Sequence, residues 1–267
     1  MAAIPHNHTM FSRLFGSKKK EKIEVAYNGQ PLVNDFSFLG ADMHSHFLPG
    51  IDDGAQTMED SIALISQMKQ LGYKRIVTTP HIKVDNYPNT PNIILSQLAE
   101  VKAALAERGI DMPIHAAAEY YIDDYFLQLL DTEPLLTVWK NEVLVEISFM
   151  FEPIQLGEII FRLTSRGYQP IMAHPERYMY YHQDLDKYEE LKNRGCYLQM
   201  NINSLMGYYG KPVKQVAEKL FSMGMYDYVG TDMHNLKHTE VVQNIQRNED
   251  LMAMLQSKPL RNPLIQF

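Results

Sequence analysis

Imidazole and carboxylate side chains recur through this chain at the ends of short apolar runs. Asp42-Met43-His44-Ser45-His46 leads into the loop Leu48-Pro49-Gly50-Ile51-Asp52-Asp53-Gly54. Further along come Thr79-Pro80-His81, Ala118-Glu119, Val145-Glu146, Ala173-His174-Pro175-Glu176-Arg177 and Thr231-Asp232-Met233-His234. Alternate side chains of an extended segment share a face, so His44 and His46 point to one side, and Asp232 and His234 repeat that spacing. Any one of these residues alone reads as a satisfied polar group. Nine of them at one level do not: His44, His46, Asp53, His81, Glu119, Glu146, His174, Asp232 and His234. Gathered and buried, such groups are costly unless a cation neutralises them. Nitrogen and oxygen donors without thiolate suit Mn, Fe or Zn in a working centre rather than a structural zinc. Five imidazoles and four carboxylates are enough for more than one divalent ion.

The elements that must carry these residues alternate regularly. Strand-like runs end near His46, His81, Glu119, Glu146, His174, Asn203 and His234, with amphipathic stretches between them. Thr57-Met58-Glu59-Asp60 is a capping-box pattern opening a helix that stops at Gly72. Thr90-Pro91 places a cap and then a proline at the start of a helix that stops at Gly109. A third helix is expected from Pro153 to Gly167 and a fourth from Pro212 to Met223. Seven β-α units with short links predict an α/β fold of parallel strands covered by helices. An open sheet binds at one crevice, whereas a barrel collects residues from every strand end, and six of the seven ends here carry such groups.

Composition narrows the function classes. The 267 residues are 45% hydrophobic and 21% charged, with 25 Lys plus Arg against 32 Asp plus Glu and a net charge of −7. That balance argues against phosphate-neutralising nucleic-acid binding. Residues 1–40 hold five basic side chains (Arg13, Lys18, Lys19, Lys20, Lys22) and three acidic ones, leaving −9 for residues 41–267. Residues 1–38 therefore read as a flexible basic arm, its Phe11, Leu14 and Phe15 suited to docking on a partner or an anionic membrane surface. His6 and His8 within it are not expected to bind metal. Residues 39–267 are expected to form one domain that carries all nine residues. A lone cysteine, the lack of a basic-then-apolar leader and the lack of a long apolar run predict a cytoplasmic protein, at most peripheral to the inner membrane.

The motifs DMHSHFLPGIDDGA, TTPH, AAE, AHPERY and GTDMHN, in that order over residues 40–240, resemble the polymerase-and-histidinol-phosphatase (PHP) superfamily. The nearer resemblance is to its bacterial protein-tyrosine phosphatase branch, which accompanies capsule and exopolysaccharide synthesis. That resemblance implies a distorted (β/α)7 barrel with two or three divalent ions, Mn foremost, at the C-terminal ends of the strands. It implies that His44, His46 and Asp232 hold one ion, Asp53, His81 and His234 a second, and Glu146 and His174 a third, with Glu119 bridging. Asp42 would orient the His pair, and Arg177 would clamp the phosphoryl group through its planar fork. Arg177, His44 and Asp232 are thus the expected catalytic residues. A second Arg, frequent in related phosphatases after the last metal-binding His, is replaced here by Lys237 and His238.

The implied reaction is in-line attack on a phosphomonoester by a metal-bridging hydroxide, without a covalent enzyme intermediate. A cysteine-based route is excluded, because six residues after Cys196 stands Ile202 and not Arg; Cys196 reads as a core residue. The expected substrate is the phosphotyrosine tail of a bacterial tyrosine kinase. Tyr120, Tyr121, Tyr178, Tyr180, Tyr181, Tyr208 and Tyr209 lie beside the motifs and either line an aromatic mouth or pack internally. The alternatives are a small-metabolite phosphatase resembling histidinol phosphatase, a C–N hydrolase, and a regulatory module without catalysis.

Overall fold

Short runs with apolar residues on both faces, such as Val143-Leu144-Val145 and Ile171-Met172, form strands buried on both sides, the pattern of a parallel sheet under helices. The computed structural model describes residues 31–267. In chain order the elements are β1 (Ala41–Asp42), α1 (Met58–Gln70), β2 (Arg75–Thr78), β3 (His81–Ile82), α2 (Pro91–Glu107), β4 (Ile114–Ala116), β5 (Glu119–Tyr121) and α3 (Asp124–Thr132). They continue with β6 (Glu142–Glu146), α4 (Leu156–Ser165), β7 (Gln169–Ala173), α5 (Asp186–Asn193), β8 (Tyr197–Asn201), α6 (Lys211–Ser222), β9 (Tyr228–Gly230), α7 (Leu236–Gln246) and α8 (Glu249–Gln256).

Every ladder between these strands is parallel, in two sheets of order β1-β2-β4 and β3-β5-β6-β7-β8-β9. The fold is therefore mixed α/β with parallel sheets. The expected second and third strands are each broken in two: Thr79-Pro80 separates β2 from β3, and Ala117-Ala118 separates β4 from β5. Proline cannot donate to a ladder, which accounts for the first break. The two sheets also meet at the parallel bridge Ser45–Met233, flanked by His46 N–H donating to Met233 O and Asp232 N–H donating to His44 O.

Helix starts follow their caps. Thr57 and Asp60 form the reciprocal capping box of α1, and Thr90 caps α2 ahead of its Pro91. α4 starts at Leu156 rather than Pro153, with no side-chain cap, leaving Pro153 and Ile154 outside it. Strand parity then divides the apolar residues. Val77, Leu144, Ile171 and Tyr228 form one cluster enclosed by the strands, while Ile76, Val143, Val145 and Met172 face the helices in a larger one. Cys196 lies in that larger core, and burial pushes its thiol up to about 12.

Residues 1–30, which hold most of the expected arm including His6, His8 and the Lys18–Lys20 run, lie outside the described residues. The described part of that stretch is packed. Phe36 is buried in the core and stacks on Tyr73, and Val33 exchanges hydrogen bonds with the Gln256 side chain. Among the described residues, no helix is long and apolar enough to cross a membrane.

Candidate metal centre

Strand parity aims the site. On β6, Glu142, Leu144 and Glu146 share a face: Glu142 pairs with Tyr228 and Arg261 at one end, Leu144 fills the enclosed cluster, and Glu146 emerges at the C-terminal end. On β8, Gln199 and Asn201 point the same way, the first to His44 and the second to Asp232. Two of the candidate ligands lie just past strand ends in left-handed backbone, His174 at φ 32° and Asp232 at φ 49°. Non-glycine residues rarely adopt this region; here it turns both side chains back over the strand ends. Close approach also demands glycine at two places. A Cβ on Gly54 would lie 2.1 Å from His46 O, and one on Gly230 would lie 2.7 Å from His44 Cβ.

All nine candidate ligands converge. Glu119, fully buried, stands at the centre: Oε2 lies 3.1 Å from His44 Nε2, 3.5 Å from His46 Nε2 and 3.2 Å from His81 Nδ1, and Oε1 lies 3.1 Å from His174 Nε2. Asp232 Oδ1 is 3.3 Å from Nε2 of both His44 and His46. Asp53 Oδ1 faces His81 Nε2 at 3.5 Å and His234 Nε2 at 3.4 Å. Glu146 Oε1 lies 3.6 Å from His174 Nε2. Three tight ligand groups result: His44, His46, Glu119 and Asp232; His46, Asp53, His81 and His234; and His81, Glu119 and Glu146.

The donor set fits divalent cations. His44 Nδ1–H donates to Gln199 Oε1 at 2.9 Å, His46 Nδ1–H to Asp52 Oδ2 at 2.7 Å, and His234 Nδ1–H to the Asp232 carbonyl at 2.8 Å. These bonds leave Nε2 of each ring as the lone-pair side facing the cluster. The Nε2 atoms of His44 and His46 are 3.3 Å apart, so two protons cannot occupy the space between them. His81 Nδ1 is buried without a hydrogen bond although a carboxylate oxygen is near it. Lone pairs and carboxylates aimed at common points are the donor arrangement that divalent cations take.

The electrostatics carry the same message. Burial opposes a charged His44, yet Glu119 and Asp232 outweigh it and push the imidazole up to about 9. Burial also opposes charge on Glu119 and Asp232, but the surrounding imidazoles hold both well below the carboxylate range. Glu146, buried and beside the Glu119 charge, is driven well above it. Burial and the Arg177 charge push His174 down to about 4.

Above the cluster opens a cavity of about 510 Å³. Arg177 lines it, with Nη1 3.1 Å from Asp232 Oδ2 and its guanidinium between the rings of Phe149 (4.6 Å) and Tyr209 (4.2 Å). His238 lines it too, whereas Lys237 is exposed and does not. Of the tyrosines beside the motifs, Tyr209 reaches the cavity; Tyr120, Tyr178 and Tyr181 belong to the core.

One sequence expectation needs correction. Asp42 does not orient the His pair through its carboxylate, which instead accepts from Thr231 N–H (2.9 Å) and Thr231 Oγ1–H (2.8 Å). The Asp42 carboxylate thus faces Thr231, just past the end of β9, rather than the rings. Asp52 and Gln199 hold the rings in its place. Lys83, Tyr87 and Phe149, none of them among the candidates named above, also line the cavity. Lys83 had a legible signal, since it follows His81 by two residues; Phe149 had none.

A profile of the family described as capsular polysaccharide synthesis, CpsB/CapC, matches residues 40–252. The chain belongs to this family. Among relatives, the tyrosine-protein phosphatase YwqE of Bacillus subtilis is 28% identical over 197 residues, covering 73% of this chain and 78% of its own. Tyrosine-protein phosphatase CpsB of Streptococcus pneumoniae is 28% identical over 201 residues, 73% of this chain and 83% of its own. A solved structure from work on YwqE and CpsB, described as unique metal-dependent tyrosine phosphatases, superposes with a TM-score of 0.71 at 26% identity, covering 82% of this chain and 96% of that one. An amidohydrolase from Mycoplasma synoviae shares the fold alone, with a TM-score of 0.51 at 13% identity over 91% of each chain.

Proposed function

We propose that this CpsB/CapC-family chain is a metal-dependent protein-tyrosine phosphatase of PHP type, acting on the phosphotyrosine tail of a bacterial tyrosine kinase. One observation carries the reading: five imidazoles and four carboxylates meet under a cavity that also holds Arg177. The names borne by its relatives point the same way. The seven strand paths, counting β2 with β3 and β4 with β5, together with the Ser45–Met233 bridge, support a distorted (β/α)7 barrel.

In this reading His44, His46 and Asp232 hold one divalent ion, Asp53, His81 and His234 a second, and Glu146 and His174 a third, with Glu119 shared. Two or three ions are bound, Mn foremost. When bound, such ions supply positive charge against the phosphoryl oxygens and acidify water. Asp52 and Gln199 fix the ring tautomers that present Nε2. Arg177 aims charge-assisted hydrogen bonds at the transferring phosphoryl group, and the two flanking aromatic rings hold its plane. The elements of water add as the P–O bond to the tyrosine breaks; OH goes to phosphorus and the proton to the departing phenolate.

The catalytic domain spans residues 39–267, with residues 1–38 as an arm whose Val33 and Phe36 anchor it to that domain, in a cytoplasmic protein that docks peripherally on the inner membrane or on a partner. The test is a phosphatase panel on metal-loaded protein. Higher kcat/KM on a phosphotyrosine peptide than on histidinol phosphate and other small phosphomonoesters is expected. The reverse order would assign a small-metabolite phosphatase instead.

A further inference from the structure

The segment between β6 and α4 exposes apolar side chains at the edge of the cavity. Phe149 lines the cavity and packs over Arg177 and His174. The next residues turn outward: Met150 is 82% exposed, Phe151 66%, and Ile154 fully. Four large apolar residues within six positions, three of them mostly in water, form a surface patch and not a scattered accident. Its backbone is held from below, where Tyr180 Oη–H donates to Ser148 O at 2.7 Å. We propose that Phe149–Ile154 is a docking lip for the apolar flank of a phosphotyrosine-bearing polypeptide. This rests on the phosphatase reading above and adds a substrate preference to it.

Two arguments choose this occupant. The first is continuity: Phe149 belongs to the cavity wall and Met150 to the surface, so a chain that places its phosphotyrosine in the cavity can leave across the lip. A free amino-acid-sized phosphoester would not reach it. The second is charge. Within Phe149–Ile154 the one charged residue is Glu152, which faces Lys187 at 3.9 Å, and the segment itself has no Lys or Arg. A loop built to insert into an anionic bilayer carries basic residues beside its apolar ones, and this one carries the opposite sign. An apolar stretch of polypeptide meets no such penalty.

The experiment compares the metal-loaded full chain with its Met150→Ser/Phe151→Ser variant on three substrates. These are a small aryl phosphate, a phosphotyrosine peptide with apolar flanking residues, and the same peptide with polar flanks. Both side chains lie largely in water, so melting temperature and metal content should match the parent. KM for the apolar-flanked peptide is expected to rise about ten-fold, as for loss of an apolar anchor, with little change for the polar-flanked peptide and the aryl phosphate. Equal loss on all three would overturn the lip and leave Phe149 as support for Arg177 alone. Unchanged kinetics throughout would also overturn it. Vesicle binding or self-association by the parent that the variant loses, with peptide KM unchanged, would assign the patch to lipid or to a second copy. A parent active on aryl phosphate but inert on both peptides would instead sink the phosphotyrosine reading, and the lip with it.

Discussion

Arg177 is held on three sides, by the Asp232 carboxylate and by the faces of Phe149 and Tyr209. An Arg fixed in this way needs little reorganisation when charge develops on a phosphoryl group. Arg177→Ala should keep its metals and lose roughly 2–4 kcal/mol of transition-state stabilisation, about thirty- to nearly a thousand-fold in rate. Arg177→Lys should restore only part, because an ammonium lacks the two-pronged fork. His174→Ala should differ by losing metal as well as rate. Steady-state kinetics paired with metal analysis separates these outcomes, and an Arg177→Ala enzyme at the parental rate would remove the clamp role.

At the scale of elements, the turn after β7 is tied down by Glu176. Its buried carboxylate accepts from Asn201 N–H (2.9 Å), Ser204 Oγ–H (2.8 Å) and Tyr226 Oη–H (3.0 Å), joining the turn to β8 and to the helical turn Ile202–Met206. Burial outweighs those bonds and raises the carboxyl to about 7. The native state therefore keeps a proton that the unfolded chain releases near its ordinary, lower pKa. The Glu176 contribution to stability is greatest at acid pH and declines as pH rises from about 4.5 through 7. Denaturant melts across that window should show a flatter pH profile for Glu176→Gln than for the parent; parallel profiles would refute the buried proton. The loop carrying Asp52 and Asp53 is constrained differently, by the absence of a side chain at Gly54. Gly54→Ala forces a Cβ into the His46 backbone and should cost roughly 1–3 kcal/mol, as overpacking does. Metal content should fall with it, because His46 and Asp53 move apart.

For the whole molecule, the cluster of imidazoles and carboxylates sits at the C-terminal mouth of the strands. Chelation should abolish turnover and lower the melting temperature, and adding Mn back should restore both, since binding to the native state alone stabilises it. Metal analysis should give two or three ions per chain. Alkylating reagents should leave turnover intact, the Cys196 thiol being buried and held protonated. Deleting residues 1–30, which leaves the buried Phe36 in place, should change turnover of a small phosphoester by no more than a few-fold. Collapse of turnover in a folded truncated protein would place the arm in the site.

Residue types and period-two spacing were enough to nominate the nine convergent side chains, whereas Arg177 entered only through the family resemblance. The side-chain nitrogen and charged oxygen ligands of such ions come from His, Asp and Glu, and a parallel α/β fold gathers them at the C-terminal strand ends. Capping chemistry is local, so the starts of α1 and α2 were legible within a residue. Long-range partners were not. Asp52 and Gln199 as holders of the rings, the real task of Asp42, and the ring pair around Arg177 depend on which segments meet, 155 residues apart for His44 and Gln199 and 189 for Asp42 and Thr231. The left-handed turns at His174 and Asp232 are backbone strain that packing imposes and local propensity does not predict. A side chain's type can be read from the chain alone; which of its faces meets what is decided only when the chain closes on itself.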